Sequence, residues 1–307
     1  MWLENKYSID TYDAYFSVIK GQKALYLYHR FGAKGKRFKT KIRAYFPNKY
    51  REHIILTDPC LAHNFSIPPG FDFAIGGLDY SVFKHAEYNG HLYLLKSDNP
   101  KEWKVERKLD IDCSMPRFIK AINPPRVVSN FDSMTSLIEN NGKYFLYTRA
   151  NVYVDIRHLQ YFESSDLINW DANGKVKFDI PVSDTEFYYS PYFFKHPIKD
   201  IYIGWLTYVD TVTRYHCLKI FTSKDCHHWE YQKDFFDDRL SYYTRRKEPN
   251  VPENLKPYYF PVYGYWIEDN RFHFMIQRNY LGLKKDDNTE VIHYSMTMEK
   301  LNELCNL

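Results

Sequence analysis

Short runs of apolar and aromatic residues, separated by turn residues, recur along the chain. They come in pairs, and the two runs of a pair are joined by turn-forming dipeptides such as Lys20-Gly21 and Asp269-Asn270. Long helical periodicity is absent, so the pattern predicts antiparallel hairpins. The paired runs span residues 14–19 with 24–28, 63–67 with 71–78, 133–138 with 143–148, 187–194 with 201–207, and 258–267 with 271–277.

A short motif follows three of these pairs: an apolar strand, then Ser and Asp, then a Trp a few residues later. Ser and Asp side chains can accept hydrogen bonds from the backbone N–H groups of a turn, and a Trp can cover the apolar seam between neighbouring sheets. We therefore expect a structural corner that repeats about every 60 residues. Its copies contain Ser97-Asp98 with Trp103, Ser165-Asp166 with Trp170, and Ser223-Lys224-Asp225 with Trp229, and weaker copies lie at 42–50 and 293–300.

Five such units predict an all-β fold, a five-bladed β-propeller with blades of about 60 residues each. One small sheet cannot bury its faces alone, so the blades must close into a ring, and we expect residues 1–307 to form a single domain. A β-sandwich would explain the strands but not the regular spacing. The predicted blades span approximately 8–60, 61–125, 126–182, 183–250 and 251–307.

Composition and charge narrow the possible functions. Of 307 residues, 44% are hydrophobic and 19% are aromatic, with 29 Tyr and 22 Phe, which favour strands and can also stack on sugars. The formal net charge of +4 is lower than that expected of a nucleic-acid-binding protein. The basic run at 34–41 is interpreted as a loop. We therefore expect no nucleic-acid partner.

The five cysteines are odd in number and lack CxxC spacing, which predicts neither a disulfide framework nor a zinc site. We expect no metal and no cofactor. The first residues do not resemble a signal peptide, and no apolar run approaches the length of a membrane span. These features predict a cytoplasmic protein without a membrane span.

In a propeller, the first strand of each blade lies nearest the central axis. Because strands one and two are antiparallel, the start of the first and the end of the second lie at the same mouth of the central channel. This mouth should collect acids and arginines, although a register shift of one residue would turn a side chain away. The strand starts hold Asp13, His63, Asn64, Asp132, Glu186, Tyr258 and Tyr259, and the strand ends hold Arg30, Asp79, Arg149, Tyr208, Asp210 and Arg278.

Several short stretches, spread over about residues 61–229, carry a resemblance to a known group of enzymes. They are His63-Asn64-Phe65, Ala74-Ile75-Gly76-Gly77, Phe131-Asp132-Ser133, Tyr147-Thr148-Arg149, Asp155-Ile156-Arg157, Ser165 to Trp170, and Glu186-Phe187-Tyr188. In their order and spacing, the chain resembles the five-bladed propellers of glycoside hydrolase families 32, 43 and 68 and their uncharacterised glycosidase-like relatives. It departs from them where the Asn-Asp-Pro-Asn signature of family 32 is absent and where His63-Asn64 replaces an acid.

The resemblance implies a catalytic set of three carboxylates. Asp132 would be the nucleophile or base and Glu186 the general acid, with Asp13 as the third carboxylate. Burial and a like-charged neighbour should raise the pKa of Glu186 toward working pH. The resemblance also implies that Arg149 and Arg157 hold the substrate.

The other residues of the mouth are predicted to contact substrate as well. Tyr188, Tyr259 and Trp205 could stack on a sugar face, although most aromatic residues should lie in the core. The arginines could instead form salt bridges with neighbouring acids. The full set of predicted substrate-binding residues is His63, Asn64, Asp79, Arg30, Arg149, Arg157, Tyr188 and Arg278.

These features predict a carbohydrate-active enzyme, with glycoside hydrolysis as the first hypothesis. Arginine forks also suit anions, so a glycosyltransferase or phosphorylase with a phosphate- or nucleotide-bearing sugar is the second hypothesis. The third is a non-catalytic sugar-binding propeller, since this fold hosts many functions. A hydrolase needs both acids, whereas a binding protein would keep its ligand without them.

Overall fold

The structure is a computed structural model that describes most of the chain. The described residues are 1–9, 16–31, 39–46, 49–55, 67–69, 72–77, 92–99, 102–111, 135–151, 157–183, 185–210, 212–213, 215–236, 258–279 and 289–307. Within them the chain forms strands and one short helix, so the predicted all-β class is confirmed.

The strands fall into five groups, numbered here in chain order, and the first three are built as antiparallel meanders. The first group contains β2 Phe16–Lys20, β3 Leu25–Phe31, β4 Lys39–Phe46 and β5 Lys49–Ile55; the second contains β6 Phe73–Gly77, β7 Leu92–Asn99 and β8 Glu102–Lys108; the third contains β9 Ser136–Asn140, β10 Lys143–Asn151, β11 Arg157–Ser164 and β12 Asp171–Lys175.

The last two groups take in further short elements. The fourth contains β14 Glu186–Lys195, β15 Tyr202–Asp210, β16 His216–Ser223 and β17 His228–Phe235, with β13 Lys177–Phe178 beside β17; the fifth contains β18 Tyr258–Glu268, β19 Arg271–Asn279, β20 Thr289–Thr297 and the N-terminal β1 Trp2–Ile9, followed by helix α1 Met298–Leu304. Strand β14 contacts β9 and β18, the first strands of the neighbouring groups, so these first strands lie innermost.

The Ser-Asp-Trp motif forms the predicted corners in the third and fourth groups. Ser164 Oγ and Asp166 Oδ1 accept backbone N–H groups of the corner at 2.8–3.2 Å. Ser223 Oγ and Asp225 Oδ1 do the same at 2.8–3.3 Å. The bonding serine of the third group is Ser164 and not Ser165, so both corners share the spacing Ser-x-Asp.

Five hydrophobic clusters join each group to the next and the fifth group to the first. Each Trp of the motif lies in the cluster between its own group and the preceding one, as predicted. The clusters therefore form a closed ring in which every sheet is covered on both faces. In ring order they contain Tyr28 with Trp103, Leu92 with Trp170, Tyr147 with Trp229, Trp205 with Phe274, and Val262 with Val18.

Two contacts close this ring. On the outside, β1 pairs antiparallel with β20, from Trp2↔Ser295 to Ile9↔Thr289, so the first strand of the chain completes the fifth group. On the inside, β18 meets β2 in parallel at Tyr263↔Ser17. The first blade was predicted to begin at about residue 8, and β1 was not predicted.

A glycine allows the inner strands to meet. Gly264 has φ +119°, and a Cβ on it would lie 2.2 Å from the carbonyl oxygen of Val18. Its N–H donates to the hydroxyl of Tyr192 at 3.0 Å, and Tyr263 donates its hydroxyl to the carbonyl of Pro191, which ties the fourth group to the same point. A residue without a side chain is required there because both the dihedral and the space exclude others.

We expect Gly264→Ala to destabilise the protein far more than Gly174→Ala does. Gly174 has a similar φ of +111°, but a Cβ on it would meet no other atom within 4 Å, so it controls for backbone strain alone. The free energies of unfolding, measured with urea, should differ between the variants by about 2–4 kcal/mol. Equal losses in the two variants would mean that the approach to Val18 does not hold the ring closed.

Candidate active site

The mouth of the fourth group is formed where β14 begins and β15 ends. Glu186 is the first residue of β14, Asp210 is the last residue of β15, and the two are register partners. In the fifth group, Tyr259 near the start of β18 is the register partner of Arg278 near the end of β19. The expectation that strand starts meet strand ends is thus confirmed for these two groups.

The carboxylate of Glu186 is held by two donors. The hydroxyl of Tyr208 donates to Oε1, and the backbone N–H of Ser183 donates to Oε2 at 2.9 Å. The N–H of Glu186 in turn donates to the carbonyl of Ser183 at 3.1 Å, which closes a tight turn before the strand. Tyr208 can reach Glu186 because it lies diagonally across the β14–β15 pair, two residues before Asp210.

These donors lower the pKa of Glu186. The hydrogen bond from Tyr208 has the largest effect and that from Ser183 the next, and together they outweigh burial and the negative charge of Asp210, which raise it. The predicted rise in the pKa of Glu186 is therefore wrong for this geometry, since donors to the ionised form were not foreseen. Near neutral pH, Glu186 is therefore an ionised carboxylate.

Asp210 has a different task from Glu186. Its Oδ1 accepts the N–H groups of Val212 at 2.9 Å and Thr213 at 3.3 Å, and the hydroxyl of Thr213 donates to Oδ2. Burial raises the pKa of Asp210, but these hydrogen bonds from the following turn prevail and lower it. Both carboxylate oxygens are thus committed to their own loop, and Asp210 caps a turn beside Glu186.

Arg149 of β10 is buried between the third and fourth groups. Its guanidinium carbon lies 4.7 Å from the ring centroid of Tyr189 on β14. The side-chain amide of Gln160 donates to the carbonyl of Arg149 at 3.4 Å and to the hydroxyl of Thr148 at 3.1 Å. The neighbouring strand thus fixes the backbone that carries the arginine, and Tyr189 supports the guanidinium.

The backbone of Tyr259 is clamped by the fourth group. Thr207 donates its hydroxyl to the carbonyl of Tyr259 at 3.1 Å, and the N–H of Tyr259 donates to Nε2 of His216, also at 3.1 Å. Because Nε2 accepts, the proton of the neutral His216 ring lies on Nδ1. Burial lowers the pKa of His216 to about 3, which keeps the ring neutral.

Arg278 lies against Tyr259 and is paired with an acid. Its guanidinium carbon is 5.8 Å from the Tyr259 ring centroid, and Nη1 is 3.0 Å from Oε2 of Glu290. The alternative expectation of a salt bridge is therefore confirmed for this arginine.

Two of the aromatic residues predicted to stack on a sugar are buried in the core. Tyr188 is 3% exposed and packs against Phe178 and Phe221, with ring centroids 4.6 and 5.3 Å away. Trp205 is fully buried in the cluster between the fourth and fifth groups. Neither ring presents a face to the mouth, because the alternation along each strand turns it toward a neighbouring sheet.

Two further predicted site residues are placed by the pairing of their strands. Arg30 lies in β3 opposite Thr40, and Arg157 begins β11 opposite Asn151. Five predicted site residues lie outside the described residues: Asp13, His63, Asn64, Asp79 and Asp132.

Four residues that shape the mouth were not predicted: Ser183, Tyr189, Thr207 and His216. Ser183 acts through the turn before β14, and the other three act through contacts between strands. None of the four belongs to a recognisable motif. No sequence signal separates Tyr189 from Tyr188, because the half-burial of Tyr189 and the register shift before Tyr192 are seen only in the paired strands. Tyr208 and Asp210 were predicted from the end of the second strand.

Neither a metal cluster nor a membrane-spanning helix is found in the described ranges. They contain no group of three or more His, Cys, Asp or Glu residues placed to hold a metal ion. In the same part of the chain, no helix has the length and apolar character needed to cross a membrane.

Small sheets joined into a closed ring define an all-β propeller, and solved structures of glycoside hydrolases share this fold. The α-L-arabinanase of Penicillium chrysogenum complexed with arabinobiose has a TM-score of 0.57 and 12% identity, over 95% of each chain. The GH43_1 enzyme from Xanthomonas citri complexed with xylotriose has a TM-score of 0.58 and 11% identity, over 94% of this chain and 89% of that one.

A beta-fructofuranosidase of family GH32 from Bombyx mori is similar as well, with a TM-score of 0.52 and 10% identity over 94% of this chain. This chain spans 63% of the length of that enzyme. No protein-family model and no curated protein matches the sequence. At these identities the likeness shows the fold, the β-propeller of glycoside hydrolase families 32 and 43.

We expect the free energy of unfolding of His216→Gln to fall less steeply with decreasing pH than that of the wild type. The unfolded chain takes up a proton on this histidine below about pH 6.5, whereas the native ring resists protonation down to about 3. Its contribution to stability is therefore complete above pH 6.5 and is lost as the pH falls toward 3. Glutamine keeps an acceptor for the Tyr259 N–H without titrating.

The measurement is the free energy of unfolding against pH. Between pH 6 and 4, the variant should lose up to about 1.4 kcal/mol per pH unit less than the wild type. An unchanged acid slope would show that His216 is not held neutral by burial.

Proposed function

We propose that this protein is a carbohydrate-active enzyme that cleaves a glycosidic bond with paired carboxylates at the mouth of a five-bladed propeller. The observation that supports this most is Glu186, which stands at the start of an innermost strand with its carboxylate oriented by Tyr208 and Ser183. The fold shared with glycoside hydrolases is the second support. The five strand groups would be the blades of one domain, with β1 completing the fifth.

In this proposal Glu186 gives a proton to the leaving oxygen, and Asp132 attacks the anomeric carbon or activates water. Asp13 is the third carboxylate at the mouth. Because the hydrogen bonds from Tyr208 and Ser183 favour the ionised form of Glu186, the carboxyl takes up a proton once substrate has changed these bonds. Arg149, supported on the ring of Tyr189, would orient the sugar.

Other residues of the mouth complete the proposed substrate site. Arg278 and Tyr259 would form its border in the fifth group. A cytoplasmic location belongs to the same proposal, and buried thiols such as Cys226 and Cys305 are compatible with a reducing compartment. The other proposed substrate contacts are His63, Asn64, Asp79, Arg30 and Arg157.

The choice of substrates to test follows from the similar structures. They include a beta-fructofuranosidase, an α-L-arabinanase complexed with arabinobiose and a GH43_1 enzyme complexed with xylotriose. We propose that this chain accepts a small glycoside of the same kind, so the assay covers β-fructofuranosides, α-L-arabinofuranosides and β-xylosides.

We expect turnover of at least one of these glycosides and its loss in two variants. Glu186→Gln and Asp132→Asn should each lower kcat by about 10²–10⁴-fold, because each removes a group that transfers a proton or attacks. Glu163→Gln, which changes a carboxylate paired with Lys143 at the opposite end of the β10–β11 hairpin, should keep the wild-type kcat. Thermal unfolding of each variant shows whether the fold is kept.

A non-catalytic sugar-binding protein is the second candidate, and one observation favours it. The ionised carboxylate of Glu186 is a good acceptor for sugar hydroxyl groups in the resting protein. If sugars raise the melting temperature but no glycoside is cleaved, and if both variants still bind, this function replaces hydrolysis. If cleavage requires inorganic phosphate or a nucleotide sugar, the enzyme is a phosphorylase or a transferase.

A further inference from the structure

A lysine lies against the ring of Tyr208, the residue that donates its hydroxyl to Glu186. The ammonium nitrogen of Lys219 is 4.6 Å from the ring centroid of Tyr208 and 5.0 Å from that of Tyr231. The lysine thus lies between two aromatic rings, and its side chain is only 13% exposed. Cations are attracted to the electron-rich faces of such rings.

Asp234 fixes the lysine in this position. Lys219 and Asp234 are register partners on β16 and β17, and Nζ lies 2.7 Å from Oδ1 of the aspartate. The hydroxyl of Tyr231 donates to the same oxygen at 2.9 Å. Because this network holds the ammonium group, the cation stays on the ring of Tyr208 instead of extending into solvent.

We propose that Tyr208 and Lys219 are positioning residues that together set how readily the carboxylate of Glu186 takes up a proton. The inference rests on the proposed function, in which Glu186 delivers the proton to the leaving oxygen. Lys219 acts through Tyr208, and neither residue has to touch the substrate.

The physical link is the strength of one hydrogen bond. A cation on the face of a phenol ring draws electron density from the ring, so the hydroxyl of Tyr208 becomes a stronger donor. A stronger donor favours the ionised form of Glu186. Burial and the nearby carboxylate raise the pKa of Tyr208 itself, so its hydroxyl keeps the proton that it donates.

Other side chains near Glu186 and Tyr208 also bear on the pKa values of these two residues. Asp210 opposes the effect, because its charge raises the pKa of both Glu186 and Tyr208. The rings of Tyr188 and Tyr215 lie 6.1 and 6.0 Å from the Tyr208 ring. Burial raises the pKa of Tyr188, so its hydroxyl stays protonated. Among the described residues, Lys219 is the cation in contact with this ring.

This arrangement has a consequence for the proposed reaction. A sugar oxygen that binds to Oε1 of Glu186 must displace or share the hydroxyl of Tyr208. Loss of that donor raises the proton affinity of the carboxylate at the moment when a leaving oxygen needs a proton. Occupation of the mouth thus prepares Glu186 for its role as an acid.

The test is an NMR titration of glutamate side-chain carboxyl carbons, in which the signal missing from Glu186→Gln identifies Glu186. In Tyr208→Phe the measured pKa of Glu186 should rise by about 1–2 units, the effect of one hydrogen bond to a charged group. A rise of less than about 0.3 units would overturn the proposal.

The part played by Lys219 is separated by a double-mutant cycle. Lys219→Met should raise the pKa of Glu186 by about 0.5 units, and Lys219→Arg should leave it unchanged because the cation is kept. In the Tyr208→Phe background, Lys219→Met should add nothing. An equal rise in that background would show that the lysine acts directly through space, which contradicts the proposed link.

Separate control experiments test whether the variants fold and whether the proposed function holds. Lys219→Met leaves Asp234 without its cation, so the double variant Lys219→Met/Asp234→Asn, which removes both charges, replaces it if the single variant unfolds. The double variant must also raise the pKa of Glu186. Thermal unfolding is recorded for every variant. The titration needs no substrate, so a protein that cleaves no glycoside but shows these shifts would refute the proposed function and support this inference.

Discussion

The sheets of this protein depend on one another, because a sheet of three or four strands cannot bury both of its faces alone. Five clusters between neighbouring groups provide that burial, and each cluster draws its residues from two groups. The contact between Gly264 and Val18 and the pairing of β1 with β20 keep the fifth group against the first. Without them, two groups would each expose one face, and the remaining groups would lose their fixed spacing.

Closure of the ring also positions the residues of the candidate site. Because the first strands lie innermost, their starts bring Glu186 and Tyr259 to one mouth from distant parts of the chain. The supports of these residues come from paired strands: Tyr208 for Glu186, and Thr207 with His216 for Tyr259. Groups held by regular strands keep their geometry better than groups on loops, so the orientation of the Glu186 carboxylate is set before any ligand arrives.

The sequence predicted those parts of the fold that depend on local chemistry. Ser-x-Asp corners and their Trp residues could be recognised because a turn binds its own backbone within a few residues, and the strand ends could be located from the same pattern. The strand β1 was missed because its residues are mostly exposed and show no alternation, while its partner lies at the other end of the chain. The position of Glu186 followed from the strand start.

What the sequence did not predict at the site depends on register between strands. The lowered pKa of Glu186 follows from Tyr208, whose reach across the β14–β15 pair is visible only once the pairing is known. Tyr188 was predicted to contact substrate but lies in the core, whereas its neighbour Tyr189 lies beside Arg149. The prediction was thus wrong by one residue along β14, the smallest error that a register prediction can make.

The pairing of β1 with β20 also bears on how the chain reaches its native state. Glu4 contacts Ser295, a residue 291 positions away, so β1 can pair with β20 only after the residues between them have been synthesised. Until then, β1 presents unpaired backbone groups beside Trp2 and Leu3, which stay exposed even in the native protein. Pairing between segments so distant in sequence slows folding, and an unpaired strand edge is a place where two chains can associate before the ring closes.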